Sequence, residues 1–147
     1  MEFIVKNMTD QQIKDLAMSI RKTRKEMTRN EYGEAIKIIK QTLKQFPENP
    51  FLLFLGGHLY GHINDLTTAA KMYENCKSII LRIKPEERTA NMLEILAESY
   101  FSLGKYDKAS NCCDSFLRRA ENEPDMYKPK CILRLKNRIE FIQNINV

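Results

Sequence analysis

The sequence predicts an all-α fold built from tandem helix hairpins, and three observations predict it. Apolar residues recur at helical spacing along almost the whole chain. One pattern of residues appears twice at a fixed offset, with a partial third copy ahead of it. Only 5 Gly and 5 Pro occur in 147 residues, too few for the many turns of an all-β fold.

The repeat is read directly from residue positions. Leu53, Gly56, Gly57 and Tyr60, then Asn64-Asp65-Leu66, then Ala69, Tyr73 and Cys76 form one copy. Leu93, Leu96, Ala97 and Tyr100, then Gly104-Lys105-Tyr106, then Ala109, Cys113 and Phe116 form the next, each 40 residues further on. The partial copy is Asn30-Glu31-Tyr32, Ala35, Ile39 and Thr42, with Ala35 lying 34 residues before Ala69. Apolar positions at i, i+3, i+4 and i+7 give one helix face. The small Ala35, Ala69 and Ala109 let a second helix approach the first, and Tyr60 and Tyr100 fill the space between them. Asn30, Asn64 and Gly104 tolerate the positive φ of a helix C-cap.

These signals place seven helices, at about 9–28, 31–46, 50–63, 66–82, 86–103, 106–121 and 125–143. Thr9-Asp10 can cap the first. Pro47 and Pro50 end the second and start the third. Pro85 is expected in the first turn of the fifth. The last carries Ile132, Leu135, Ile139 and Ile142 on one face, with Lys128, Arg134, Lys136 and Arg138 elsewhere. It reads as a closing helix with a polar outer side.

Residues 30–123 resemble tetratricopeptide repeats, best over Leu93–Phe116 with Tyr100-x-x-x-Gly104-x-Tyr106-x-x-Ala109. Pro47-x-Asn49 is similar to the family's repeat terminator. Lys84–Thr89 lengthens one repeat by six residues, and Phe116 stands where the family usually has a small residue. The resemblance implies a tetratricopeptide-like α-solenoid. It would comprise an N-terminal arm, 1–8, and a single repeat domain, 9–147. The repeats would fall at about 9–49, 50–89 and 90–123, with a capping helix at 124–147.

Composition narrows the function classes. The net charge of +5 comes from the ends: 10 Lys/Arg against 7 Asp/Glu over residues 1–50, 9 against 10 over 51–123, and 5 against 2 over 124–147. This is read as solvated terminal faces. The cluster Arg21-Lys22-Thr23-Arg24-Lys25 is short and lacks interleaved aromatics, so nucleic acid is not the expected partner. No run is long enough to span a membrane and no secretory leader is seen, so a soluble, cytoplasmic protein is expected. Cys76, Cys112, Cys113 and Cys131 show no Cys-x-x-Cys spacing and are read as buried free thiols.

No catalytic motif is present, and the expectation is a non-enzyme without metal or cofactor. His58 and His62, the only histidines, share a helix face but lack a third ligand. The repeat resemblance maps Arg21, Arg24, Phe51, Phe54, His58, His62, Asn91, Glu94, Glu98 and Phe101 to a concave groove. The order is a basic end, an aromatic-and-imidazole middle and an acidic end. The family's carboxylate clamp is not reproduced, because Phe54 and His58 occupy the positions where Lys and Asn are wanted.

The expected function is therefore a protein-interaction module or adaptor that binds a partner segment through that groove. Two alternatives stand beside it. One is the sensor repeat domain of a peptide-responsive transcription regulator without its DNA-binding part. The other is a self-associating scaffold, a homodimer docked through Ile4, Val5 and Met8 or through Ile142 and Ile145.

Overall fold

The computed structural model describes residues 8–123 and 130–145. Among them are seven α-helices: α1 Asp10–Thr28, α2 Tyr32–Gln45, α3 Pro50–His62, α4 Leu66–Leu81, α5 Ala90–Ser102, α6 Tyr106–Asn122 and α7 Lys130–Ile145. Ile4, Val5 and Lys128, assigned above to an arm and a final helix, lie outside the described residues, as does the proposed start of that helix at 125.

Local chemistry sets the helix ends. Thr9 and Gln12 form a reciprocal capping box: the Gln12 N–H donates to Thr9 Oγ1 at 3.1 Å and the Thr9 N–H to Gln12 Oε1 at 2.9 Å, satisfying two N–H groups that the helix leaves open. The Asn49 side chain accepts from the Leu52 N–H, with Pro50 in the first turn of α3. Asp65 accepts from the N–H and the hydroxyl of Thr68 at the start of α4.

Three turns end in the same way. Asn30, Asn64 and Gly104 have φ of 60°, 63° and 76°. After each, the next N–H reaches back to a carbonyl five residues earlier: Glu31 to Glu26, Asp65 to Tyr60, Lys105 to Tyr100. This is the Schellman closure, which needs one left-handed residue and so favours Gly or Asn.

One boundary differs from expectation. The fifth helix starts at Ala90, not at 86. Pro85 sits in a separate 3-10 turn, Pro85–Glu87, and Arg88 is extended. The reason is Thr89, which caps α5 by accepting from the Met92 N–H at 3.2 Å. Arg88 fastens the inserted segment: its Nε donates to the Ile83 carbonyl at 3.1 Å, and its own carbonyl accepts from Arg119.

Packing divides the chain into two compact units, Met1–Ile79 and Ile80–Val147. In the first, α1 packs on α2 and α2 on α3. Leu16, Ile20, Ala35, Ile39, Leu52 and Leu59 lie in its core. There α3 meets α4 so closely that a Cβ built on Gly57 would sit 2.7 Å from the Tyr73 ring, and the Cys76 thiol donates to the Pro50 carbonyl at 3.2 Å.

In the second unit α5 packs on α6 and α6 on α7, around Leu96, Ala97, Ala109, Phe116, Ile132 and Ile139. Phe116 is fully buried, so the bulky residue at the family's small position is core filler. Lys136 on α7 pairs with Asp114 on α6, and Gln143 donates to Asp107 at 2.7 Å. The cysteine expectation needs one correction. Cys76 and Cys113 are buried, but Cys112 is half-buried and Cys131 is exposed, because position 131 faces away from the side of α7 that carries Ile132, Leu135 and Ile139.

No helix among the described residues is long and apolar enough to cross a membrane.

Candidate partner-binding faces on α3 and α5

One helix of each unit, α3 and α5, is buried on nearly every side, and what remains accessible is a narrow stripe. On α3 the only positions not buried are Phe51, Phe54, His58, Gly61 and His62. On α5 they are Ala90, Asn91, Glu94, Glu98, Phe101 and Ser102. The steps of three and four keep each set on one face. From Phe51 to Tyr60 the order of buried and unburied positions repeats residue for residue from Asn91 to Tyr100.

In the first unit the stripe is a run of rings. The Arg24 guanidinium lies 5.4 Å from the Phe51 ring centre. The Phe54 and His58 rings meet edge to face at 4.5 Å, and both approach Tyr73 of α4, at 6.2 and 5.9 Å. His62 stacks flat on Tyr32 of α2 at 4.7 Å. Burial holds the His58 imidazole below its ordinary pKa, and His62 one turn away adds to the effect, since both disfavour the charged form of His58. At neutral pH His58 is therefore an uncharged ring among aromatic rings.

In the second unit the stripe is acidic. Burial pushes the Glu94 carboxyl above its ordinary pKa. It does the same to Glu98, opposed by the Arg138 guanidinium and reinforced by Glu94. That guanidinium, from α7, lies 4.5 Å from the Phe101 ring centre. Phe101 meets Tyr106 edge to face at 5.5 Å.

Arg24, Phe51, Phe54, His58 and His62 thus gather in one unit, and Glu94, Glu98 and Phe101 in the other. Arg21 and Asn91 are exposed, and among the described residues neither joins a ring or ion-pair contact. Sequence reasoning missed Tyr32, Tyr106 and Arg138 as neighbours of the stripes. Tyr32 and Tyr106 carried a usable signal, each standing two residues past a left-handed turn residue. Arg138 carried none, because its polar position on α7 reads as solvent-facing.

Cys112 and Cys113 are poor nucleophiles. Burial drives Cys112 up to about 11, against a smaller opposing effect of Arg88, and Cys113 up to about 12, so both stay protonated at neutral pH. Among the described residues no group of three His, Cys, Asp or Glu is placed to hold a metal ion.

No protein-family model matches the chain, and no curated protein sequence matches it. Solved structures do. The Sgt2 tetratricopeptide domain from Aspergillus fumigatus superposes with a TM-score of 0.60 at 20% identity, over 94% of this chain and 83% of that one. The first tetratricopeptide domain of Spaghetti (RPAP3), bound to the HSP90 peptide SRMEEVD, gives 0.57 at 15% identity, over 89% and 94%. The TPR2B domain of yeast Sti1, in its complex with Hsp70, gives 0.59 at 11% identity, over 86% and 96%. The likeness at these identities is one of architecture, and it agrees with the repeat spacing, the triplicated turns and the matched burial of α3 and α5: the chain has the tetratricopeptide-repeat fold.

Proposed function

We propose that this chain is a protein-interaction module that holds a segment of a partner protein against the α3 stripe, with the α5 stripe as a second contact surface. One observation carries the reading. Two helices buried almost completely leave open only stripes at the same register, and the α3 stripe is made of Phe51, Phe54, His58 and His62. Rings fixed by neighbouring rings lose little freedom on binding, and so make efficient anchors for an apolar side chain. The solved Spaghetti and Sti1 complexes support a peptide as the kind of ligand, through fold alone.

The test is a selection of displayed peptides on the full chain, followed by titration of the selected peptide. Phe54→Ala with His58→Ala should weaken it by about tenfold or more, the loss of an anchor worth about 2 kcal/mol. Undiminished binding to that variant would remove α3 as the site.

A second reading, self-association, is favoured by the outer side of α7, where Leu133, Phe141 and Ile145 are 46%, 66% and 63% exposed. Light-scattering mass across a concentration series decides it: a constant value of 17.3 kDa excludes it.

A further inference from the structure

The α5 face already contains a bound cation, supplied by the protein itself. The Arg138 guanidinium comes from a different helix, lies over the Phe101 ring at 4.5 Å and acts on the Glu98 carboxylate. An aromatic face joined to a half-buried carboxylate is the arrangement that holds a guanidinium well, through the ring quadrupole and the opposite charge together. The charges do not balance, however. Glu94, one turn from Glu98, is also half-buried, burial alone shifts its pKa, and among the described residues it makes no ion pair. The Arg138 charge therefore acts on Glu98 and not on Glu94.

Arg138 is itself exposed and sits on a helix anchored independently. Ile132, Leu135 and Ile139 of α7 are buried, and Lys136 and Gln143 bind Asp114 and Asp107 of α6. Its side chain can therefore leave Phe101 without α7 leaving the fold.

We propose that Phe101, Glu98 and Glu94 form a subsite for an arginine side chain of a partner, and that Arg138 occupies it in the free protein as an internal competitor. The proposal rests on α5 being a contact surface for the partner. A basic partner residue displaces Arg138 from the Phe101 ring and sets its charge beside Glu98 and Glu94.

The test uses N-acetyl-arginine-N-methylamide, an isolated arginine side chain, titrated into the full chain and followed by chemical shifts of the Phe101 ring and the Glu98 side chain. Arg138→Gln should bind the probe about three- to tenfold more tightly than the parent, the range expected when one competing cation–π contact and its charge are removed. Adding Phe101→Leu or Glu98→Gln to Arg138→Gln should abolish that gain. All four proteins should keep the same helical circular dichroism, since none of these side chains is buried. The proposal is overturned if Arg138→Gln binds the probe no better than the parent, or if its affinity survives loss of Phe101 and Glu98. The measurement needs no partner, so a subsite that binds the probe in a protein whose selected peptides ignore α5 would refute the partner contact and leave the subsite standing.

Discussion

Three glycines of α3 undergo the same substitution with three different outcomes. Ala in place of Gly in a helix contributes about 1 kcal/mol of stability through reduced chain freedom, and this gain is common to all three sites. The opposing cost is not. At Gly61 a Cβ meets nothing within 4 Å, so Gly61→Ala should stabilise by up to about 1 kcal/mol. At Gly56 the new atom would lie 2.3 Å from Met72 Sδ, but Met72 is only half-buried and unbranched and can swing away. Gly56→Ala should end within about 1 kcal/mol of the parent.

At Gly57 the clash is with three atoms of the Tyr73 ring at 2.7, 2.7 and 2.9 Å. That ring is buried, with Phe54 and His58 against it, so it can retreat only by moving them. Set against the helical gain of about 1 kcal/mol, an overpacking cost of about 1–3 kcal/mol leaves Gly57→Ala destabilised by up to about 2 kcal/mol. Urea denaturation followed at 222 nm should rank the variants Gly61→Ala above Gly56→Ala above Gly57→Ala. A Gly57→Ala protein as stable as Gly61→Ala would refute the close approach of α3 and α4 in the first unit, and with it the claim that Tyr73 fixes the α3 rings.

Other predictions follow from the turns, the cap and the titrating groups. Gly104→Ala, at φ of 76°, should cost about 1 kcal/mol in thermal or urea denaturation, whereas Asn64→Gly at the matching turn should leave stability within about 0.5 kcal/mol or raise it. Thr89→Ala removes the acceptor for the Met92 N–H and should cost about 1 kcal/mol. With pH, the Glu94 and Glu98 values are raised by burial. The stability they give is therefore complete below 4.5 and is lost as pH rises through their folded values. Glu94→Gln with Glu98→Gln should accordingly be more stable than the parent at pH 7, and the difference should vanish toward pH 4. For His58 the sign is opposite: its value is lowered by burial and by His62, so its contribution is present above 6.5 and is lost as pH falls through the folded value. His58→Gln should flatten that acid limb in a denaturation series from pH 7.5 to 5.

How far the sequence carried depended on whether a feature was local. Asn30, Asn64 and Gly104 revealed their turns because positive φ is a property of the residue itself. The stripe on α3 was legible because its positions follow from the repeat spacing once Tyr60 and Ala69 are placed. The start of α5 was not, because Pro85 and Thr89 both signal a helix start and only the fold selects between them. Arg138 over Phe101 joins residues 37 positions apart, and a pairing between two helices at that separation has no periodic trace. Cys131 was misjudged because cysteine alone suggests burial, while its neighbour Ile132 holds the inward position.

The narrowness of the α3 and α5 stripes bears on how such a chain can diverge. Where a helix is buried on nearly all sides, most substitutions are removed by selection for folding, and sequence drift is channelled into the few remaining positions. Those positions hold rings in one unit and carboxylates in the other, at identical register. Under the proposed function, the repeated scaffold thus separates shape from specificity: a hairpin can take a new partner by changing the few side chains of its stripe, with its packing left intact.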